Sequence, residues 1–267
     1  MTAPGSDRWS SGSAYESYIG RWSRLVVPVF LDWLAIPPGR RWLDAGCGTG
    51  ALTEAILARC EPSSVVGVDP SEPFVAHVRT TVADARATFE VGTAAETGLA
   101  DDHVDVVVSA LVLNFVPDLN AALAEARRVL SPGGVVAGYV WDYAGGMQLL
   151  RRFWDAAVVV DPAARAIDEG ARFGIAAPEP LAAAFAAAGL SAVDVRPIDI
   201  QTVFVDFGDL WTPFLGGTGV GPAFVDSLAE PARNALRERL RASLDPEPDG
   251  SIRLVARAWA VRGQSVS

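Results

Sequence analysis

Lysine is absent from this sequence. All 22 basic side chains of the 267-residue chain are arginines, which excludes Schiff-base chemistry, lysine-anchored pyridoxal phosphate and the phosphate-binding lysine of a P-loop. Cysteine and histidine are nearly absent. Cys47, Cys60, His77 and His103 are the complete set, too few for a disulfide framework or a metal cluster, so no metal is expected. Positive charge is scarce against 32 acidic residues, the net charge is -10, and the arginines form no run. Nucleic acid and anionic membrane surfaces are therefore not expected partners. No apolar run approaches the ~18–20 residues of a membrane-spanning helix, and no charged-then-apolar segment opens the sequence. The expected setting is the cytoplasm, as a monomer or homodimer.

Half of the residues are hydrophobic, enough for a large core. Residues 1–13 are small and polar and read as a flexible terminus. From 14 to 34, Tyr15, Tyr18, Ile19, Trp22, Leu25, Val26, Phe30, Trp33 and Leu34 recur at helical spacing, with Pro28 expected to break or kink the helix. Short apolar runs at 41–45, 64–69, 87–91, 104–109 and 134–141 then alternate with helical patterns at 49–59, 72–83 and 119–130. A turn is expected at Pro132–Gly134, ahead of the fifth strand. This βα alternation predicts an α/β, doubly wound, Rossmann-like and mostly parallel sheet. A helix at 147–159, another at 179–190, a strand at 193–200 and a last, antiparallel strand at 252–262 complete the pattern, with helical cap elements between them. The expectation is one domain over 14–267, with its core at about 40–142, 178–200 and 252–263 and its caps at 14–36, 143–177 and 203–250.

The motif Asp44-Ala45-Gly46-Cys47-Gly48-Thr49-Gly50 follows a strand and opens a helix. Glycines let the backbone approach a ligand there, and the helix start is its positive end. The spacing is G-x-G-x-G, whereas dinucleotide dehydrogenases favour G-x-G-x-x-G around a pyrophosphate. Asp44, just ahead of the glycines, would repel a pyrophosphate but accept a hydrogen bond from an ammonium group. The ligand so described has a cationic end and no phosphate, and S-adenosylmethionine fits. Asp69, ending the next strand in VVGVDPS, is placed to accept from ribose hydroxyls.

LDAGCGTG, VVGVDPS, VGTAAETGLADDHVDVVVSALVLNFVPD and RRVLSPGGVVAGYVW, in this order, resemble successive motifs of class I S-adenosylmethionine-dependent methyltransferases, over roughly residues 40–141. The N-terminal YESYIGRWSR resembles a lead-in of bacterial small-molecule members. The resemblance implies S-adenosyl-L-methionine as cofactor, S-adenosyl-L-homocysteine as product and a small-molecule acceptor. It also implies that Gly46, Cys47 and Gly48 line the methionine and ribose through their backbones and that Asp69 binds the ribose. Asp69-Pro70 and Thr93-Ala94 would bracket the adenine, with Thr93 standing where the family often has aspartate. Ser109 would sit beside the methionine moiety and Asn114 would face the reaction centre. Tyr18 and Arg21 on the N-terminal helix carry donors suited to the methionine carboxylate, Arg21 as the ion partner.

A sulfonium methyl is already activated, so proximity and in-line alignment can carry the transfer. Asp142 and Tyr143, following the fifth strand, are the candidate catalytic groups, because strand ends point at the ligand crevice. Aromatic side chains are concentrated at 141–214 and point to a hydrophobic or aromatic acceptor. Two other readings are open: a protein of this fold that binds the cofactor without transferring methyl, in a regulatory or cyclisation role, and a dinucleotide oxidoreductase.

Overall fold

Short, mostly apolar runs make the central strands, which can be stable only if both faces are covered. The computed structural model describes residues 21–216 and 219–266. Its strands are β1 (Arg41–Ala45), β2 (Ser64–Asp69), β3 (Ala87–Val91), β4 (Val104–Ala110), β5 (Leu130–Trp141), β6 (Ser191–Phe204) and β7 (Ile252–Gln264). They form one sheet in the order β3-β2-β1-β4-β5-β7-β6. β1 to β5 pair in parallel and β7 lies antiparallel to β5. The doubly wound, mostly parallel sheet expected from the alternation is present, with antiparallel strands at its end.

The helices are α1 (Arg21–Leu34), α2 (Ala51–Arg59), α3 (Glu72–Thr81), α4 (Leu119–Val129), α5 (Gln148–Val160), α6 (Glu169–Arg172), α7 (Pro178–Ala187), α8 (Phe207–Trp211), α9 (Val220–Ser227) and α10 (Glu230–Ala242). Local chemistry explains their ends. α2 begins two residues later than the periodicity suggests, because Gly50 at its N-terminus adopts a left-handed conformation with φ 93°. Asp118 caps α4 by accepting from the Ala121 N–H at 3.0 Å.

Chain contacts divide the protein into two compact units. The sheet unit includes residues 24–141, 175–198 and 258–266, and the second unit includes residues 21–23, 142–174, 199–216 and 219–257. β6 and β7 each contribute residues to both units. In the sheet unit Trp42, Leu43, Val65, Val68, Val106 and Val108 are buried. The second unit has an aromatic core of its own. Phe153 stacks on Phe214 at 4.3 Å between ring centroids and meets Trp154 edge-on at 5.0 Å. The Trp154 indole N–H donates to the buried Glu169 carboxylate at 2.7 Å.

Of the break or kink expected at Pro28, the break does not occur, since α1 runs through it. Arg24, one turn earlier, is exposed, while Val26, Val27, Phe30, Leu31 and Leu34 are buried and hold the helix across the proline. Nor does Pro132–Gly134 precede β5. The strand starts at Leu130, opposite Val104, and resumes with Val135 opposite Val106, so the intervening residues form a bulge.

Phe30 is fully buried and meets Tyr139 of β5 edge-on at 4.9 Å. Phe30→Ala should lower the stability of the sheet unit by about 3–5 kcal/mol, read as a lower urea midpoint with an unchanged slope.

Candidate functional site

Strands β1 and β4 are neighbours, and the chain winds away from them in opposite directions. Ligands of doubly wound sheets bind at the carboxyl ends of strands around such a switch point. The turn leaving β1 is held in a conformation that needs glycine. Gly46, Gly48 and Gly50 have φ of 84°, 52° and 93°. A Cβ on Gly46 would lie 2.5 Å from Val112 Cγ2, whereas one on Gly48 would meet nothing within 4 Å. The turn is thus backed by Val112 on one side and open at Gly48.

Asp69, at the end of β2, ties two turns together. Its Oδ2 accepts from the Gly48 N–H at 2.9 Å and its Oδ1 from the Ser71 N–H at 2.8 Å. The Gly46 and Cys47 N–H groups donate to the Val68 carbonyl at 2.8 and 3.0 Å. The N–H groups of Gly46, Cys47 and Gly48 are therefore engaged within the protein, and the turn offers a ligand its shape and its carboxylates. Burial raises the Asp69 pKa, while the bonds from Ser71 and Gly48 oppose the rise.

Asp44 lies wholly buried at the start of the turn. The Thr53 hydroxyl donates to its Oδ2 at 2.7 Å, and Oδ1 has no partner. Burial pushes its pKa up to about 7, the Thr53 bond pulls it down and Asp69 adds repulsion. An unpartnered, buried carboxylate oxygen beside a second carboxylate is a site for a cationic donor. Cys47 is buried, and desolvation raises its thiol pKa, so it is held protonated.

Pro70 is exposed beside Asp69. Thr93 and Ala94 sit in a tight turn after β3, where the Thr93 and Glu96 backbones exchange two hydrogen bonds of 3.1 Å. The Gly92 N–H donates to the Asp69 carbonyl at 3.2 Å, which brings this turn to the end of β2. Ser109 donates its hydroxyl to the Ala45 carbonyl at 2.9 Å, joining β4 to β1. The amide oxygen and nitrogen of Asn114 are both buried without partners, in a loop whose Leu111 has a left-handed φ of 60°.

Tyr18 lies outside the described residues. Arg21, in the second unit, donates through Nη1 to Asp209 Oδ1 at 2.9 Å. Asp142, also in the second unit, is buried and accepts from the Gly145 N–H at 2.9 Å, while its own N–H donates to the Arg257 carbonyl at 2.9 Å. The ring of Tyr143 packs against Phe173 at 4.8 Å. The residues expected to bind the cofactor or to act in catalysis thus divide. Asp44, the glycine turn, Asp69, Pro70, Thr93, Ala94, Ser109 and Asn114 belong to the sheet unit, and Arg21, Asp142 and Tyr143 to the second unit.

Residues 43–138 match the model of the methyltransferase domain family. Residues 43–138 carry a methyltransferase domain. An uncharacterized methyltransferase of Mycobacterium bovis is 38% identical over 133 residues, covering 50% of this chain and 52% of the relative. A malonyl-[acyl-carrier protein] O-methyltransferase of Serratia marcescens is 35% identical over 117 residues, covering 44% of each. The chain spans about half the length of these curated relatives. A Haemonchus contortus phosphoethanolamine N-methyltransferase, solved with S-adenosyl-L-methionine, shares the fold with a TM-score of 0.62. That match is at 16% identity, over 98% of this chain and 59% of the other.

Three residues of the methyltransferase domain escaped the sequence reading: Thr53, Val112 and Glu125. Glu125 Oε1 accepts from the Thr97 hydroxyl at 2.6 Å and from the Thr97 N–H at 2.9 Å, anchoring the loop that carries Thr93 and Ala94 to α4. The bond from Arg128 holds its pKa down to about 2. Among the described residues, no group of three or more His, Cys, Asp or Glu side chains could hold a metal ion. No helix among them is long and apolar enough to cross a membrane.

The raised pKa of Asp44 has a stability consequence with a definite sign. Well below pH 4 the side chain is protonated whether folded or not. As pH rises towards 7 the unfolded chain releases the proton and the folded one retains it, so stability falls, by up to about 4 kcal/mol. Asp44→Asn should therefore raise the urea midpoint of the ligand-free protein at pH 8 and change it little at pH 4. Equal effects at both values would contradict the assignment.

Proposed function

We propose that this protein binds S-adenosyl-L-methionine at the ends of β1 and β2 and transfers its methyl group to a small, hydrophobic or aromatic acceptor, leaving S-adenosyl-L-homocysteine. The observation that carries this reading is the unpartnered, buried Oδ1 of Asp44 beside Asp69. A dinucleotide would bring phosphates to two carboxylates, whereas S-adenosylmethionine brings an ammonium and a ribose.

Asp44 would accept from the ammonium and Asp69 from the ribose hydroxyls, using lone pairs left over from Gly48 and Ser71. The backbone of Gly46, Cys47 and Gly48 would shape the seat of the methionine and ribose. Pro70, Thr93 and Ala94 would flank the adenine, and Thr93 would accept through an uncharged hydroxyl. Ser109 and Asn114 would border the methionine end, where the unpartnered carboxamide of Asn114 can both donate and accept.

The cofactor, when bound, supplies a methyl group already activated on sulfur. What the protein must add is alignment of the acceptor and exclusion of water. The concentration of aromatic side chains at 141–214 is what supports an acceptor with an apolar body. Asp142 and Tyr143 are proposed as the groups that handle the acceptor's proton where it carries one. Asp142 can do so while its Oδ1 holds the Gly145 N–H.

Calorimetric titration tests the cofactor assignment. S-adenosylhomocysteine should bind saturably and NADH should not, and Asp69→Ala should weaken the former about 10- to 100-fold, as expected for hydrogen bonds to a charged group. Saturable binding of NADH with none of S-adenosylhomocysteine would reject it. For transfer, Asp142→Asn keeps the turn's hydrogen bond and removes the charge. With a phenolic acceptor, turnover should fall about 100-fold, the usual scale of general-base catalysis, with little change in KM. Unchanged turnover would leave alignment as the sole contribution.

A further inference from the structure

The place proposed for the cofactor is at the carboxyl ends of β1 and β2. A separate hollow lies at the opposite end of the sheet, where β1 and β4 begin. It encloses about 350 Å3 and is lined by the segment from α1 to β1, the bulge at the start of β5 and the end of β7. That is within the range of small-molecule pockets, which begin at about 300 Å3. All of its lining belongs to the sheet unit.

The charges of this hollow do not balance. Among its described lining residues Asp105 is the single acid, against Arg40 and Arg262. Arg41 already engages that acid. Its Nη2 donates to Asp105 Oδ1 at 2.7 Å, and its Nε and backbone N–H donate to Oδ2 at 3.2 and 2.9 Å. These bonds hold the Asp105 pKa down, and the charge of Arg40 adds to them. Arg40 is exposed, and its guanidinium has no hydrogen-bond or ion-pair partner among the described residues. Arg262 lies 3.6 Å from Asp194 Oδ2, an oxygen that Arg196 also approaches at 3.3 Å. Four guanidiniums thus share two carboxylates, in a chain whose net charge is -10.

The hollow also has an apolar wall, in which Ile36 and Val135 are half-buried and Pro37 is exposed. A neighbouring hollow of about 470 Å3 offers no such excess of charge, because Arg59 there pairs with Asp32 at 2.8 Å. Surplus guanidinium charge beside an apolar wall suits an anion that carries a hydrocarbon part. We propose that this hollow is a second ligand site, separate from the cofactor's, for a small organic anion. Arg40 and Arg262 meet its carboxylate or phosphate, and Ile36, Pro37 and Val135 meet its apolar body. Binding there does not depend on the transferase reading.

Anilinonaphthalene sulfonate, an organic anion that fluoresces on leaving water, should bind the full chain saturably. Arg40→Gln removes a charge that has no partner in the fold. It should leave the urea midpoint unchanged and weaken the dye about fivefold, the scale of an exposed ion pair, and Arg262→Gln should weaken it similarly. Phenylnaphthylamine, the dye without its sulfonate, should bind these variants and the wild type alike. Arg59→Gln, in the neighbouring hollow, should change neither dye. Octanoate and octyl phosphate should displace the sulfonate dye, the stronger competitor identifying the head group, and saturating S-adenosylhomocysteine should not. The proposal is overturned if the sulfonate dye does not saturate, or if Arg40→Gln and Arg262→Gln leave its affinity unchanged. It is equally overturned if the variants weaken both dyes alike, if neither octyl compound competes, or if S-adenosylhomocysteine displaces the dye, which would place it in the cofactor cleft. Dye binding as described without any S-adenosylhomocysteine binding would uphold this site and reject the cofactor assignment alone.

Discussion

The carboxylate of Asp69 joins two turns that would otherwise be independent. One oxygen holds the Gly48 N–H of the glycine turn and the other holds the Ser71 N–H at the start of the next helical segment, at 2.9 and 2.8 Å. Gly46 and Cys47 complete the lock by donating to Val68, the residue before Asp69 in β2. The glycine turn is thus shaped by the neighbouring strand, and not by a ligand. That arrangement costs free energy, because Asp69 and Asp44 are both buried and their charges repel. A cationic, hydroxyl-bearing ligand would relieve both terms, and this is the physical basis of the proposed preference for a sulfonium nucleoside over a dinucleotide.

Much of this was legible in the sequence. The bounds of β1 and β2 coincide with the apolar runs, because buried parallel strands require apolar runs bounded by polar turns, and those of the edge strand β3 coincide as well. Asp44, the three glycines and Asp69 were legible for the same reason: each lies at a strand end whose position the alternation sets. What sequence could not supply depends on contacts between distant residues or on tertiary override of local rules. Pro28 reads as a helix breaker, but burial of five neighbours carries α1 past it. The bulge at the start of β5 reads as a turn. The engagement of the Gly46, Cys47 and Gly48 N–H groups by β2 is likewise a contact between separate strands that the local sequence does not announce. The partner of Arg21 lies 188 residues away, so no local pattern could announce it.

The most direct measurement compares S-adenosylhomocysteine with its deaminated analogue, which keeps the ribose, adenine and carboxylate but lacks the ammonium. If Asp44 Oδ1 is the ammonium's acceptor, wild-type protein at pH 8 should bind the analogue about 10- to 100-fold more weakly, and Asp44→Asn should bind the two with nearly equal affinity. Equal affinity of the wild type for both ligands would contradict the role given to the buried carboxylate.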